Sequence, residues 1–329
     1  MKKIFILLII MFSIKLHGQN FFGTQPFAHT FSIVARDTVT GDMGVAVQSH
    51  WFSVGTIVTW GEAGVGVVAT QSFVNPSFGP RGLALLKQGL TAKQVVDLLI
   101  ESDKGRDFRQ LSILDSKGNV ATYTGEKCID DAGQKVGNNY SVQANMMIND
   151  KIWGAMADAY EHASGKLAEK LLAALEAGQN AGGDIRGKQS AAILVVKGKS
   201  TGNIWEDRMV DIRVDDNPNP IKEIGRILEV HRAYEHMNNG DLAVEHNDMD
   251  LAMKEYSAAE KMFPDNEEMK YWHAVTLANI GKVEESLPIF NEVFKMNKNW
   301  IELTKRLVKP QLLTVKKEDF DKILSQGNN

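Results

Sequence analysis

Residues 30–49 read TFSIVARDTVTGDMGVAVQS, and the reading of this stretch decides how the first part of the chain folds. Residues 30–37 (TFSIVARD) are rich in β-branched and aromatic side chains, which suit a pleated, covered surface. Thr40, Gly41 and Asp42 supply turn chemistry, and residues 43–49 (MGVAVQS) run apolar again. A β-hairpin is predicted. Working outward, residues 56–60 (TIVTW) and 65–71 (VGVVATQ) predict a second strand pair across 61–64. These runs are nearly continuous in apolar residues, as expected of strands covered on both faces.

The period then changes. Leu85, Leu86, Val95, Val96, Leu98 and Leu99 recur at helical spacing across 81–102. Strands are predicted over 110–115 and 120–124, joined by a Ser-Lys-Gly-Asn turn. Residues 152–164 and 167–177 read as helices, with Gly178 as the stop of the second. A glycine-rich loop at 182–187 precedes a strand at 190–196, which pairs with a last strand within 204–214. The turn at 215–220 opens a helix that continues toward Tyr234. Strands on both sides of helices in sequence point to an α+β fold, a layered sandwich over residues 30–230.

From residue 231 to 329 the pattern is helical. Ala252 and Ser286 stand 34 residues apart, as do Met253 and Leu287, Tyr256 and Phe290, Ala259 and Val293, and Gly240 and Ala274. Small residues fall where two helices must approach, and large ones where they interlock. This resembles two tetratricopeptide (TPR) repeats between about Met237 and Trp300, with Pro264 after the second helix of the first repeat. The flanking segments 221–236 and 300–326 would cap such a stack. A plain helical bundle is the alternative.

The length of 329 residues suits about two domains, and the composition is that of a globular protein. The formal net charge is −4, and neither the first 230 residues nor the remainder is basic. Nucleic-acid binding is not expected, since it needs clustered Lys and Arg. The single cysteine, Cys128, allows no intrachain disulfide and excludes a Cys-rich metal site. Lys2 and Lys3, an apolar run over 4–14 and the small residue Gly18 have the layout of a cleavable secretory signal at 1–18. The run is short for a membrane span, and no cysteine follows it to carry a lipid. A secreted or periplasmic protein starting near Gln19 is expected, with residues 19–29 as an extension or propeptide.

Among common catalytic motifs, the P-loop, the G-x-S-x-G elbow and H-E-x-x-H do not occur. The segment 182–187 (GGDIRG) lacks the G-x-G-x-x-G spacing and precedes a strand, so it is not a dinucleotide loop. The eight histidines are scattered, and no metal or cofactor is expected. What remains is a set of polar residues at strand ends. Thr30 heads the first strand; Ser49, His50, Glu62, Gln71 and Asn75 follow; the glycine loop adds Asp184, Arg186, Gln189 and Ser190. Glycines allow a backbone to approach a ligand closely, and exposed N–H groups can stabilise an oxyanion. Arg81 suits either a substrate carboxylate or a structural acid. Several of these residues also have a plain role: Thr30 as a strand residue, Glu62 in a solvated turn, His50 as a packed strand end, Asn75 as a helix start, and the loop as a tight turn.

The stretches TFSIVARD, GDMGVAVQSHWFSVG, EAGVGVVATQSFVNPSFGPRGLALL, RQLSILDSKGNVATYTGE, VQANMM, LLAALEAGQNAGGDIRGKQSAA and DIRVDDNPNP occur in this order. Together they resemble the bacterial family known as domain of unknown function 1028, over about Thr30 to Tyr234. That family is similar to the N-terminal-nucleophile (Ntn) hydrolases, whose fold is a four-layer αββα sandwich. The resemblance implies an amide-bond hydrolase in which Thr30, as the first residue of the mature chain, is the nucleophile and its own α-amine the base. Backbone N–H groups and Asn145 would stabilise the oxyanion. Asp184, Arg186, Gln189 and Ser190 would orient the amine or grip a polar substrate, a small amide or a peptide.

Removal of residues 1–18 alone would leave the Thr30 nitrogen in a peptide bond, where it is no base. Either a second cut between His29 and Thr30 follows, by self-processing, or the chain is not a conventional Ntn hydrolase. The helical repeats would recruit a protein partner, and a homodimer is expected by analogy with Ntn sandwiches. The competing reading is a catalytically inactive ligand-binding or envelope assembly module on the same fold.

Overall fold

A computed structural model describes residues 27–328. The expected signal segment and most of the expected extension, residues 1–26, lie outside the described residues. The chain divides into two compact units, one reaching Pro220 and the other starting at Ile221.

The first unit begins with β1 (Phe27–Ala28), β2 (Thr30–Arg36) and β3 (Met43–Ser49), then a short α1 (Gly55–Val58), β4 (Thr59–Glu62) and β5 (Gly66–Phe73). Next come α2 (Phe78–Lys87), α3 (Ala92–Glu101), β6 (Arg109–Asp115), β7 (Val120–Thr124), β8 (Gly133–Gly137) and β9 (Tyr140–Ala144). The unit closes with α4 (Ile152–His162), α5 (Leu167–Asn180), β10 (Ser190–Val196), α6 (Ile204–Asp207) and β11 (Arg208–Val214). The expected α+β character is present, in two antiparallel sheets. One runs β1-β5-β6-β7, with β4 also on β5; the other runs β11-β10-β3-β2-β9-β8.

The sheets face each other across Val34, Val45, Val47, Ala192 and Leu194 from one and Val67, Ala69 and Leu114 from the other. Side chains alternate along a strand, so the opposite face of β5 and β6 sends Val68, Leu111 and Ile113 to α2 and α3. Helices α4 and α5 cover the outer face of the second sheet. Both sheets are thus covered on two sides, which is why their strands read as continuous apolar runs.

Three expectations need correction. Residues 56–58 are not strand, although 59–60 are and pair with β5 as expected: α1 comes first, closed by Thr59 Oγ1 donating to the Gly55 carbonyl (2.7 Å) and Trp60 Nε1 to that of Ile57 (3.0 Å). These local bonds override the β-branched propensity, and β4 starts at Thr59. The helical period at 81–102 belongs to two helices, because Gly89 adopts φ +93° and Thr91 caps α3 with a capping box. Helix α5 does not stop at Gly178, where a Cβ would lie 2.9 Å from Met156 Cγ and 3.1 Å from Phe31 Cε2. The glycine serves close packing, and the helix continues to Asn180.

The second unit is helical: α7 (Pro220–Glu245), which runs unbroken through residue 230, α8 (Met249–Met262), α9 (Glu267–Asn279), α10 (Val283–Met296), α11 (Asn299–Arg306) and α12 (Lys317–Ser325). Of the residues related by 34 positions, Ala252, Tyr256 and Ala259 on α8 and Ser286, Phe290 and Val293 on α10 are buried, while Met253 and Leu287 are half-buried. Gly240 on α7 abuts the Tyr256 ring, where a Cβ would lie 2.7 Å from Cε1. No helix among the described residues is long and apolar enough to cross a membrane.

Candidate active site

The register of β2, β3 and β10 sets three hydroxyls in a row. Thr30 pairs with Ser49, and Ser49 with Ser190, at one end of the second sheet. By the two-residue period these positions share the face of Val34, Val47 and Ala192, so they look toward the other sheet where the apolar core ends. All three are fully buried.

A polar seam continues from them between the sheets. Gln71 Nε2 donates to the Thr30 carbonyl (3.2 Å) and to Gln110 Oε1 (2.6 Å), and its Oε1 accepts from Ser32 Oγ (2.6 Å). Gln143 Nε2 donates to the same Ser32 hydroxyl (2.6 Å). The Asn145 backbone N–H donates to the Thr30 carbonyl (3.1 Å), and its side-chain Nδ2 reaches Gln110 Oε1 (2.8 Å). Buried amides are costly unless paired, and these pair with one another and with strand carbonyls.

Residues 27–29 fill the space in front of this row. β1 adds to the edge of β5, Phe27 opposite Phe73 and Ala28 opposite Ser72, while β4 covers the same edge from Gly66 to Ala69. The His29 ring is buried, set edge-on against Phe73 (centroids 5.0 Å apart, planes at 88°), and its Nδ1 lies 2.9 Å from Asn145 Oδ1. Burial, and to a lesser degree the Arg186 charge, holds its pKa below the ordinary value of 6.5, against the Asn145 hydrogen bond and Asp184.

The His29 carbonyl oxygen accepts from Ser49 Oγ (2.5 Å) and from Arg186 Nη2 (2.7 Å). The guanidinium is fixed by Asp184, whose side chain is wholly buried: Nε donates to Oδ1 (3.0 Å) and Nη2 to Oδ2 (2.6 Å). Nη2 has two protons, one for the aspartate and one for the carbonyl. Thr30 Oγ1 donates to the Ala28 carbonyl (3.0 Å), so the hydroxyl is turned back toward the residues that precede it.

Thr30, Ser49, Gln71, Asn145, Asp184 and Arg186 therefore belong to one hydrogen-bonded cluster. Asn145 meets the His29 ring and the Thr30 carbonyl, while the donors on the His29 carbonyl are Ser49 and Arg186. His50 joins through its backbone N–H, 3.2 Å from Asp184 Oδ2; its ring is exposed. Ser190 donates to the Trp51 carbonyl and accepts from the Val54 N–H (3.1 Å), holding the 51–54 turn. Gln189 reaches Asp216 (3.2 Å).

The other expected residues have partners elsewhere. Glu62 pairs with Lys87 (2.6 Å), Arg81 donates to Ser102 Oγ (3.0 Å), and Asn75 bonds Asp103 and Ser77 at the start of α2. A cleft of about 640 Å³ is lined by Trp60, Glu62, Lys87, Asp207 and Arg213, and not by Thr30. The space beside Thr30 is taken by the chain itself.

Sequence reasoning missed His29 and Gln110. Glutamine at 71, 110 and 143, within otherwise apolar strands, was the available signal of a polar seam. Among the described residues no group of three or more His, Cys, Asp or Glu is placed to hold a metal ion.

The family described as a family of unknown function (DUF1028) matches residues 30–224. A crystal structure of a DUF1028 protein from Silicibacter pomeroyi superposes with a TM-score of 0.56 at 31% sequence identity, over 61% of this chain and 85% of that one. No curated protein matches. With more than half of its length matched from Thr30 onward, the chain belongs to the DUF1028 family.

Proposed function

We propose that the chain is the precursor of an Ntn-type amide hydrolase, with Thr30 as nucleophile once the His29–Thr30 bond is cut. The observation that carries this reading is the His29 carbonyl. It belongs to the peptide bond that must break, and it is held by a hydroxyl and a guanidinium in the manner of an oxyanion hole. The layered helix and sheet arrangement, and a family match that begins at Thr30, support it.

The chemistry has two stages. In the precursor, Thr30 Oγ adds to the His29 carbonyl carbon, and negative charge builds on the oxygen facing Ser49 and Arg186. The C–N bond breaks as the hydroxyl proton passes to the nitrogen, leaving an ester. Water hydrolyses that ester to a His29 carboxylate and a free Thr30 amine. The amine, with a reference pKa of about 7.7–8.0, then serves as base for the same hydroxyl against an external amide. The acyl-enzyme is released by water. Asp184 keeps the guanidinium aimed; Gln71 and Asn145 hold the Thr30 backbone.

Export by the segment 1–18 and partner binding by a TPR-like second unit complete the proposal. Turnover of an amide library by the wild-type chain and by Thr30→Ala tests it. Loss of turnover in the variant is expected; equal turnover removes Thr30 as nucleophile. A chain that stays uncut and hydrolyses nothing would be the binding module of the competing reading.

A further inference from the structure

Resting on that reading, the contacts of residues 27–29 describe what the mature site accepts. After the cut, the space they vacate faces the acyl side of an incoming amide, and its lining has a fixed polarity. Gln110 Nε2 lies on the carbonyls of Ala144 (2.9 Å) and Gly133 (3.3 Å), which can only accept, so the amide orientation of Gln110 is forced. Its Oε1 therefore faces Asn145 Nδ2 (2.8 Å), a nitrogen that also lies 3.4 Å from the Thr30 carbonyl. Asn145 is fixed in turn, and the atom it presents to position 29 is Oδ1. That oxygen is fully buried and can only accept. The side chain before the scissile bond must then bring a proton. It must also be flat enough to stand edge-on against Phe73. Further from the bond, the edge of β5 at Ser72 and Phe73, beyond the end of β4, pairs with an extended backbone.

We propose that the mature site hydrolyses peptide amides with histidine on the acyl side of the cleaved bond, the preceding residues adding to β5 as a short antiparallel strand. The imidazole N–H donates to Asn145 Oδ1, the acyl carbonyl sits between Ser49 and Arg186, and the leaving amine carries away one proton as Thr30 Oγ takes the acyl group. Water then frees the acid. A side chain lacking the donor leaves Asn145 Oδ1 buried and unpaired, which lowers kcat/KM by roughly ten- to a hundredfold.

The test gives the full wild-type chain, after incubation, the aminomethylcoumarin amides of Phe-Ala-His and Phe-Ala-Leu, with intact mass read on the same sample. Cutting at 29/30 with the histidine amide preferred by about tenfold or more supports the proposal. Cutting with equal turnover, with leucine preferred, or with neither peptide turned over overturns the histidine preference and leaves the hydrolase reading standing. An uncut chain that turns over neither amide overturns that reading and the preference together.

Discussion

At the residue scale, the roles divide by what each atom touches. Ser49 and Arg186 meet the carbonyl oxygen on which charge would build, so Ser49→Ala is expected to slow cutting by about a hundredfold or more, the effect of losing one oxyanion donor. A time course of intact mass reads this, and an unchanged rate would remove Ser49 from the mechanism. His29 gives a pH dependence. Burial keeps it neutral in the folded chain below the ordinary value of 6.5, while the unfolded chain takes up a proton near that value. Its contribution is therefore whole above about pH 6.5 and is lost as pH falls toward the folded value. In uncut Thr30→Ala protein, the protection of the 27–29 amides against hydrogen exchange, referred to the intrinsic rate at each pH, should fall as pH drops below about 6.5, and His29→Gln should flatten that fall. A flat profile in the His29 protein would contradict the buried neutral ring. Thr30, Ser49, Asn145, Asp184 and Arg186 were legible from strand ends, the glycine loop and the family resemblance. His29 was not: its partner Asn145 is 116 positions away, and only the folded sheet brings them together.

At the element scale, the long strands were readable because apolar runs of β-branched residues have few other uses. The short elements were not. Residues 55–58 form a helical turn although they include Thr, Ile and Val, since Gly55 must pass against β10, where a Cβ would lie 2.4 Å from that of Ala192. β8 was not legible because Gly133–Gly137 is polar and largely solvent-facing, and pairs only with β9. Gly178 is the instructive error: its lack of a side chain serves the approach of α5 to β2, with no turn involved. Gly178→Ala should destabilise the first unit by about 1–3 kcal/mol, the cost of overpacking, as a lower urea midpoint with unchanged slope. An unchanged midpoint would mean that Met156 yields at no cost.

At the scale of the whole molecule, the two units rest on separate cores. The 34-residue period in the sequence becomes a set of buried contacts in the helical unit. Phe290, fully buried, stacks near Tyr271 (5.9 Å) and Phe294 (5.5 Å). Phe290→Ala should cost that unit about 3–5 kcal/mol in thermal or urea unfolding. A loss below about 1 kcal/mol would contradict the packed core described for it.

The account turns on whether the active protein starts at Thr30. The direct measurement is intact mass, with N-terminal sequencing, of the fraction of purified protein that hydrolyses an amide. The expected result is a chain beginning Thr-Phe-Ser, with Thr30→Ala recovered uncut and inactive. An active chain that still carries Phe27, Ala28 and His29 ahead of Thr30 would contradict the account, because an amide nitrogen cannot serve as the base.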